Sequence, residues 1–283
     1  MPARIAPANA SVPLRSPLRY PGGKTWLIPQ VRRWLGAQPR RPEVLVEPFL
    51  GGGSVSLCAA AEDLATRVVM VELDPHVADV WDAIVNGGAE GLANRIRAFT
   101  CDEASVRLEL ASTGQDRADR AFRTIVRNRV QRGGILAPGA GLMRAGEAGK
   151  GIASRWYPQT LARRSMDITV YADKLTFIHG DAFTVFAEHL DDPSAVFFVD
   201  PPYTAGGKNA GHRLYEQSSL DHDRLFAMCA HAAGDVLMTY DNTDEVKDLA
   251  ATHGLAYRPV ARRRASPAPA SELLIGKDLS WAL

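Results

Sequence analysis

Short runs of consecutive apolar residues, most of them closed by an acid, punctuate the chain and alternate with stretches of helical period. Val44-Leu45-Val46, Val68-Val69-Met70-Val71, Val196-Phe197-Phe198-Val199 and Val236-Leu237-Met238 each read as a strand buried on both faces. Leu175-Thr176-Phe177-Ile178 reads as a further strand. Helical patterns follow at 26–35, from the glycines at 51–53 through 62, at 76–84, from 182 onward and at 220–233. Strands alternating with helices predict an α/β fold on a largely parallel, doubly wound sheet. Residues 256–261 and 272–275 read as a closing strand pair, with an exposed basic turn at 262–269 between them.

From 87 to 174 the rhythm changes. Residues 92–110 and 118–130 predict helices, and 133–153 is too rich in Gly, Ala and Pro for a sheet. The expected organisation is therefore a loose arm at 1–13, a catalytic body made of 14–86 and 175–283, and an inserted lobe at 87–174.

Charge sharpens this division. The formal net charge over 283 residues is +1, yet residues 91–174 hold fifteen Lys or Arg against eight Asp or Glu. A basic insert on a mildly acidic body fits a lobe that contacts phosphates, or a solvated arginine-rich face. Arg127, Asn128, Arg129, Arg132, Arg144, Lys150 and Arg155 crowd there, and Arg, Asn and Gln are the usual readers of base edges. Lys208 adds a cation in the polar, glycine-containing loop at 204–217, which is long enough to close over a substrate. The three cysteines are scattered without metal spacing, which predicts reduced thiols, a cytoplasmic protein and no metal. No apolar run reaches the ~18 residues of a membrane span, and the first residues lack a signal-peptide core.

The candidate chemistry sits where the strands end. After Val199 come Asp200, Pro201, Pro202 and Tyr203. Two prolines stiffen the turn and hold the residue before each in extended geometry. The turn thus offers a carboxylate, bare carbonyls and an aromatic face at the sheet edge where ligands bind. An exocyclic amine on a flat base has two N–H donors. The Asp200 carboxylate and the Pro201 carbonyl can accept both, and Tyr203 can stack on the ring. The plainer alternative is a solvated strand end. Gly22 and Gly23 precede Lys24 in a tight turn at a helix start, and Gly51, Gly52 and Gly53 link the first strand to its helix, allowing close backbone approach to a nucleoside. Neither loop has the G-x-x-x-x-G-K-S/T or G-x-G-x-x-G spacing. Glu72 ends the second strand about 20 residues past the glycines, the place of a ribose-binding acid, with Asp74 in reserve. Asp181 can accept from an adenine amine or cap the following helix.

Four motifs together resemble the DNA adenine methylase type, the D12 class of N6-adenine DNA methyltransferases. They are Tyr20-Pro21-Gly22-Gly23-Lys24, Glu47-Pro48-Phe49-Leu50-Gly51-Gly52-Gly53-Ser54, Gly180-Asp181-Ala182-Phe183 and Asp200-Pro201-Pro202-Tyr203, in the family's order. The resemblance implies a Rossmann-like methyltransferase fold with a mixed seven-stranded sheet, its last strand antiparallel, and an inserted, mainly helical recognition lobe. It implies S-adenosylmethionine as cofactor, held by Tyr20, Gly22, Gly23, Lys24, Glu47, Phe49, Gly51, Gly53, Glu72, Asp181 and Asp200. It also implies catalysis by Asp200 to Tyr203 on adenine flipped out of double-stranded DNA, a monomer or weak dimer, and a restriction endonuclease as a partner. N4-cytosine methylation is the close alternative, and a catalytically silent DNA-recognition module is the rival from another class. C5-cytosine chemistry is disfavoured, since no cysteine lies in a Pro-Cys turn.

Overall fold

In a computed structural model, the described residues are 11–113, 116–136, 140–143, 145–202, 220–262 and 270–282. Seven strands form one sheet in the order β3-β2-β1-β4-β5-β7-β6. They are β1 (Val44–Glu47), β2 (Arg67–Glu72), β3 (Leu175–His179), β4 (Ala195–Val199), β5 (Val236–Asp241), β6 (Ala256–Arg262) and β7 (Ala270–Gly276). Strands β1 to β5 pair in parallel, and β7 pairs antiparallel with both β5 and β6. This is the mixed seven-stranded sheet, with its last strand antiparallel, that the sequence leads one to expect. The order reverses between β1 and β4, so the carboxyl ends of these two strands flank the crevice where such sheets bind ligands.

Burial explains the continuous apolar strands. All of β1 and β4 is buried, and alternate residues feed two cores. Leu45, Met70, Val196 and Phe198 face one core, where they meet α1 (Ile28–Gly36), α2 (Ser54–Ala61) and α3 (Pro75–Val85). Val46, Val71, Phe197 and Val199 face the other, against α8 (Ala182–Glu188), α9 (His222–His231) and α10 (Asp244–Thr252). Each fully buried aliphatic side chain stabilises the fold by about 1.5–3 kcal/mol relative to exposure.

Four more helices pack on the α3 side: α4 (Ala89–Ala98), α5 (Glu103–Ala111), α6 (Arg117–Val130) and α7 (Pro158–Thr169). They differ from the sequence expectation in two ways. The single helix expected over 92–110 is broken at Phe99, because Asp102 turns extended and caps α5 by accepting from the Ser105 amide at 2.7 Å. Helix α7, with Pro158 in its first turn, was not anticipated at all. The described residues of the stretch 133–153 contain only short 3-10 turns and one isolated bridge, as its composition predicts. Phe99, Phe122 and Trp156 meet edge to face in this helical group, so Trp156 is a core residue there. No helix among the described residues is long and apolar enough to cross a membrane.

Candidate active site

A cleft at the carboxyl end of the sheet collects the expected loops. It spans about 1110 Å³, part of it open to solvent, and is lined by Tyr20 to Lys24, Glu47 to Ser54, Val71 to Asp74, Asp181 to Phe183, Asp200 and Pro202. Four of these five parts of the chain converge because β1, β2, β3 and β4 end side by side.

The glycine loop is shaped by what lies behind it. Gly51 and Gly53 have φ of 48° and 61°, which side chains rarely adopt. A Cβ on Gly51 would lie 2.6 Å from the Tyr20 ring, and one on Gly53 would lie 2.9 Å from the Trp81 ring. Trp81 also donates its indole N–H to the Gly51 carbonyl at 2.9 Å. Tyr20 and Trp81 therefore brace the loop from two sides. The turn before Lys24 closes with the Gly23 amide on the Tyr20 carbonyl at 3.1 Å.

Carboxylates dominate the walls. Glu72 is buried and accepts from the amides of Gly51 and Asp74, both at 2.9 Å. Burial nevertheless pushes its pKa up to about 7. Glu47 accepts from the Ser56 amide at 2.8 Å, and burial drives it to about 8. Asp74, the reserve ribose acid, caps α3 through the amides of His76 and Val77. Asp181 likewise caps α8, accepting from the Thr184 amide at 3.0 Å, while remaining exposed in the cleft. The capping reading thus holds, and the same carboxylate also lines the cleft.

Asp200 is the best-anchored group. Its Oδ1 accepts from the Thr239 hydroxyl at 2.7 Å and lies 2.8 Å from the Lys24 ammonium. Lys24 is buried, donates to the Gly22 carbonyl at 2.9 Å, and lies 3.5 Å from Glu272 Oε2. Lys24 therefore joins the glycine turn to the acid of the Asp-Pro-Pro turn, a role beyond the cofactor contact expected of it. Thr239 on β5 and Glu272 on β7 were not anticipated. Their only sequence signal is a polar residue inside an otherwise apolar strand. Pro201 is buried, and Phe49 is half-buried in the cleft. Tyr203, Arg144 and Lys208, with the loop at 204–217 and most of the turn at 262–269, lie outside the described residues.

The other expected DNA contacts divide. Arg132 and Lys150 are exposed, and Arg127 and Arg155 are half-buried. Asn128 and Arg129 are buried, a correction to the sequence expectation. The Asn128 side chain accepts from the Arg19 amide and donates to the carbonyls of Arg19 and Gly134, while Arg129 donates to the Pro17 carbonyl. Their place on α6 explains this: Phe122, Ile125, Val126 and Arg129 share the face that packs inward.

The cleft's chemistry suits S-adenosylmethionine. A cationic ligand matches walls carrying Glu47, Glu72, Asp74, Asp181 and Asp200. Among the described residues, no group of three or more His, Cys, Asp or Glu side chains is placed to hold a metal ion. The chain has no match among curated proteins. Among solved structures it is similar to the rRNA methyltransferase aviRa from Streptomyces viridochromogenes, with 14% identity, a TM-score of 0.42 and coverage of 91% of this chain and 86% of that one. It is also similar to precorrin-6y C5,15-methyltransferase from Geobacter metallireducens, with 10% identity, a TM-score of 0.37 and coverage of 86% and 83%. Over residues 20–120 the chain matches the family model of the D12 class N6 adenine-specific DNA methyltransferases.

Proposed function

We propose that the chain methylates N6 of adenine in double-stranded DNA by direct transfer. One observation carries this reading: Asp200 is held on a two-proline turn by Lys24 and Thr239, beside the cofactor loop and in the same cleft. When bound, S-adenosylmethionine supplies a methyl group on a sulfonium, which needs no covalent enzyme intermediate. The work of the protein is then positioning and electrostatics. The Asp200 carboxylate and the Pro201 carbonyl accept from the two N–H groups of the amine, turning its lone pair toward the methyl. Lys24 and Thr239 fix the carboxylate's orientation. Reaching that position requires the adenine to leave the duplex, at a cost of a few kcal/mol. Residues 87–174 supply the recognition lobe, with Arg132 and Lys150 as exposed phosphate contacts. A monomeric enzyme in the cytoplasm, acting with or without a restriction endonuclease, completes the proposal.

The test is transfer of labelled methyl from S-adenosylmethionine to unmethylated DNA, followed by nucleoside analysis of the digest. N6-methyladenine is expected. Asp200→Ala should lower the rate by about 10²–10³-fold, the scale of losing a preorganised electrostatic partner, a larger loss than the one in cofactor affinity. N4-methylcytosine would overturn the base assignment, and transfer to RNA or protein alone would overturn the DNA reading.

A further inference from the structure

Segment 15–20, which leads into the cleft, is stitched to α6 and α7 by arginines. Arg129 donates to the Pro17 carbonyl and Arg164 to the Ser16 carbonyl, the latter at 3.2 Å. A carbonyl is a weak counterpart for a guanidinium. Arg129 Nε, Arg164 Nε, Arg155 Nη1 and the Trp156 indole N–H are all buried without a hydrogen-bond partner among the described residues. Four orphaned donors in one seam call for an explanation, because buried polar groups are nearly always paired. Burial and the neighbouring cations Arg19, Arg164 and Arg155 draw the pKa of Arg129 down to about 9.

Among the described residues, Glu147 is the carboxylate that Arg155 and Arg19 meet. Its Oε1 accepts from Arg155 Nε at 2.6 Å and lies 3.7 Å from Arg19 Nη2. It is about half exposed. Glu147 begins a single 3-10 turn, and the turn is built to present it. Gly146 has φ of 66°, and a Cβ there would fall 1.9 Å from the Gly151 carbonyl. Ala148 is held at φ of 52°, a conformation uncommon for a residue with a side chain. The Ser154 hydroxyl accepts from the Glu147 amide at 2.9 Å.

We propose that Arg19 and Arg155, backed by Arg129 and Arg164, form a binding site for a backbone phosphate of the nucleic acid, and that Glu147 occupies it as an internal stand-in until the phosphate displaces it. This rests on the nucleic-acid reading above. Carboxylate and phosphate present similar acceptor pairs to a guanidinium fork. A half-exposed glutamate on a turn framed by glycines can leave, whereas the buried Arg129 and the half-buried Arg164 behind it stay. Arg19 directly precedes Tyr20, whose ring braces Gly51, so a phosphate held here would lie next in sequence to the cofactor loop. The exchange makes each non-specific encounter compete with an internal anion.

The experiment is equilibrium binding of a short labelled duplex over a salt series, with wild type, Glu147→Gln, Arg19→Ala and the double variant, each checked by thermal melting. Glu147→Gln should bind about 3- to 10-fold tighter, with a logarithmic salt slope steeper by about one phosphate. Arg19→Ala should bind about tenfold more weakly with a slope flatter by about one, and in its background the effect of Glu147→Gln should vanish. Unchanged affinity and slope in Glu147→Gln, or an effect that persists without Arg19, would overturn the proposal. Should no protein bind duplex, the DNA reading falls, and elution from heparin decides the site. Later elution of Glu147→Gln that depends on Arg19 upholds the site, and elution independent of Arg19 overturns it.

Discussion

At the carboxyl end of the sheet, Glu47 and Glu72 are buried with backbone amides as their donors. In the seam between segment 15–20 and the helices, Arg129 is buried with a carbonyl and is surrounded by other arginines. Both regions concentrate charge of one sign, and the sign suits the ligand each would take: a sulfonium in the cleft, a phosphate in the seam. They differ in how the charge is held. The cleft fixes its acids with short, directed hydrogen bonds and one buried cation, Lys24, as befits a site that must place atoms. The seam leaves several donors unmet and parks a half-exposed glutamate against them, as befits a surface that must exchange one anion for another.

The hardest blow to the cleft side of this contrast is Lys24→Met. It removes the ammonium that lies between Asp200 and Glu272, leaving Glu272 buried without it. Breaking a buried pair from one side costs about 3–5 kcal/mol, with the lower end expected because Asp200 keeps some exposure. Denaturant unfolding measures the loss. Adding Glu272→Gln should restore a part of it, since the acid no longer needs compensation. Equal stability of Lys24→Met and wild type would show that the cation orders nothing. Gly51→Ala comes next. Its left-handed φ and the Tyr20 ring 2.6 Å from the new Cβ should together cost about 2 kcal/mol. Cofactor affinity, read by calorimetry, should fall by at least about tenfold.

What the sequence makes legible follows from how local the cause is. The parallel strands are legible because burial on both faces leaves an unbroken apolar run, and the cleft loops because glycine and proline act within a few residues of their position. Asp181 shows the limit of local reasoning: one carboxylate can cap a helix and face the cleft at once. Thr239 and Glu272 carry no local mark. They reach Asp200 and Lys24 only through the pairing of β5 with β4 and β7, which brings together residues far apart in the chain. Asn128 and Arg129 mislead in the opposite direction. Their residue types suggest contact with DNA, yet the helical period of α6 places Arg129 in register with Phe122 and Ile125, so the burial was readable from spacing rather than from composition.

Asn128→Ala probes the seam without touching its charges. The side chain bridges the Arg19 amide and carbonyl and the Gly134 carbonyl, and all three groups would lose their partner. Unsatisfied buried groups cost about 1–3 kcal/mol, so a loss near 2 kcal/mol is expected in thermal or denaturant unfolding. Because Asn128 holds the residue before Tyr20, cofactor affinity should weaken alongside stability. A loss of stability with unchanged cofactor binding would separate the seam from the cleft.

The smallest expected effect is the most discriminating, because it reads the cleft's charge directly. Glu72 has a pKa of about 7 and Glu47 of about 8, both raised chiefly by burial. In the unfolded chain each titrates near the ordinary glutamate value. Between that value and the raised ones the folded protein therefore binds more protons than the unfolded chain, and its stability falls as pH rises through this window. A cationic cofactor reverses the preference, since it favours the ionised acids. Its affinity should rise by about tenfold between pH 6 and pH 8 if Glu72 alone must lose its proton. Binding in that range should release protons, seen as a dependence of the calorimetric enthalpy on buffer ionisation. Glu72→Gln should flatten both the stability and the affinity profiles; its single oxygen keeps only one of the two amides, Gly51 or Asp74, and the lost bond adds a cost of about 1–3 kcal/mol that does not vary with pH. A pH profile for cofactor affinity that is flat in the wild type would mean that the buried acids shape the loop without meeting the sulfonium's charge, and the electrostatic half of the contrast between cleft and seam would fail.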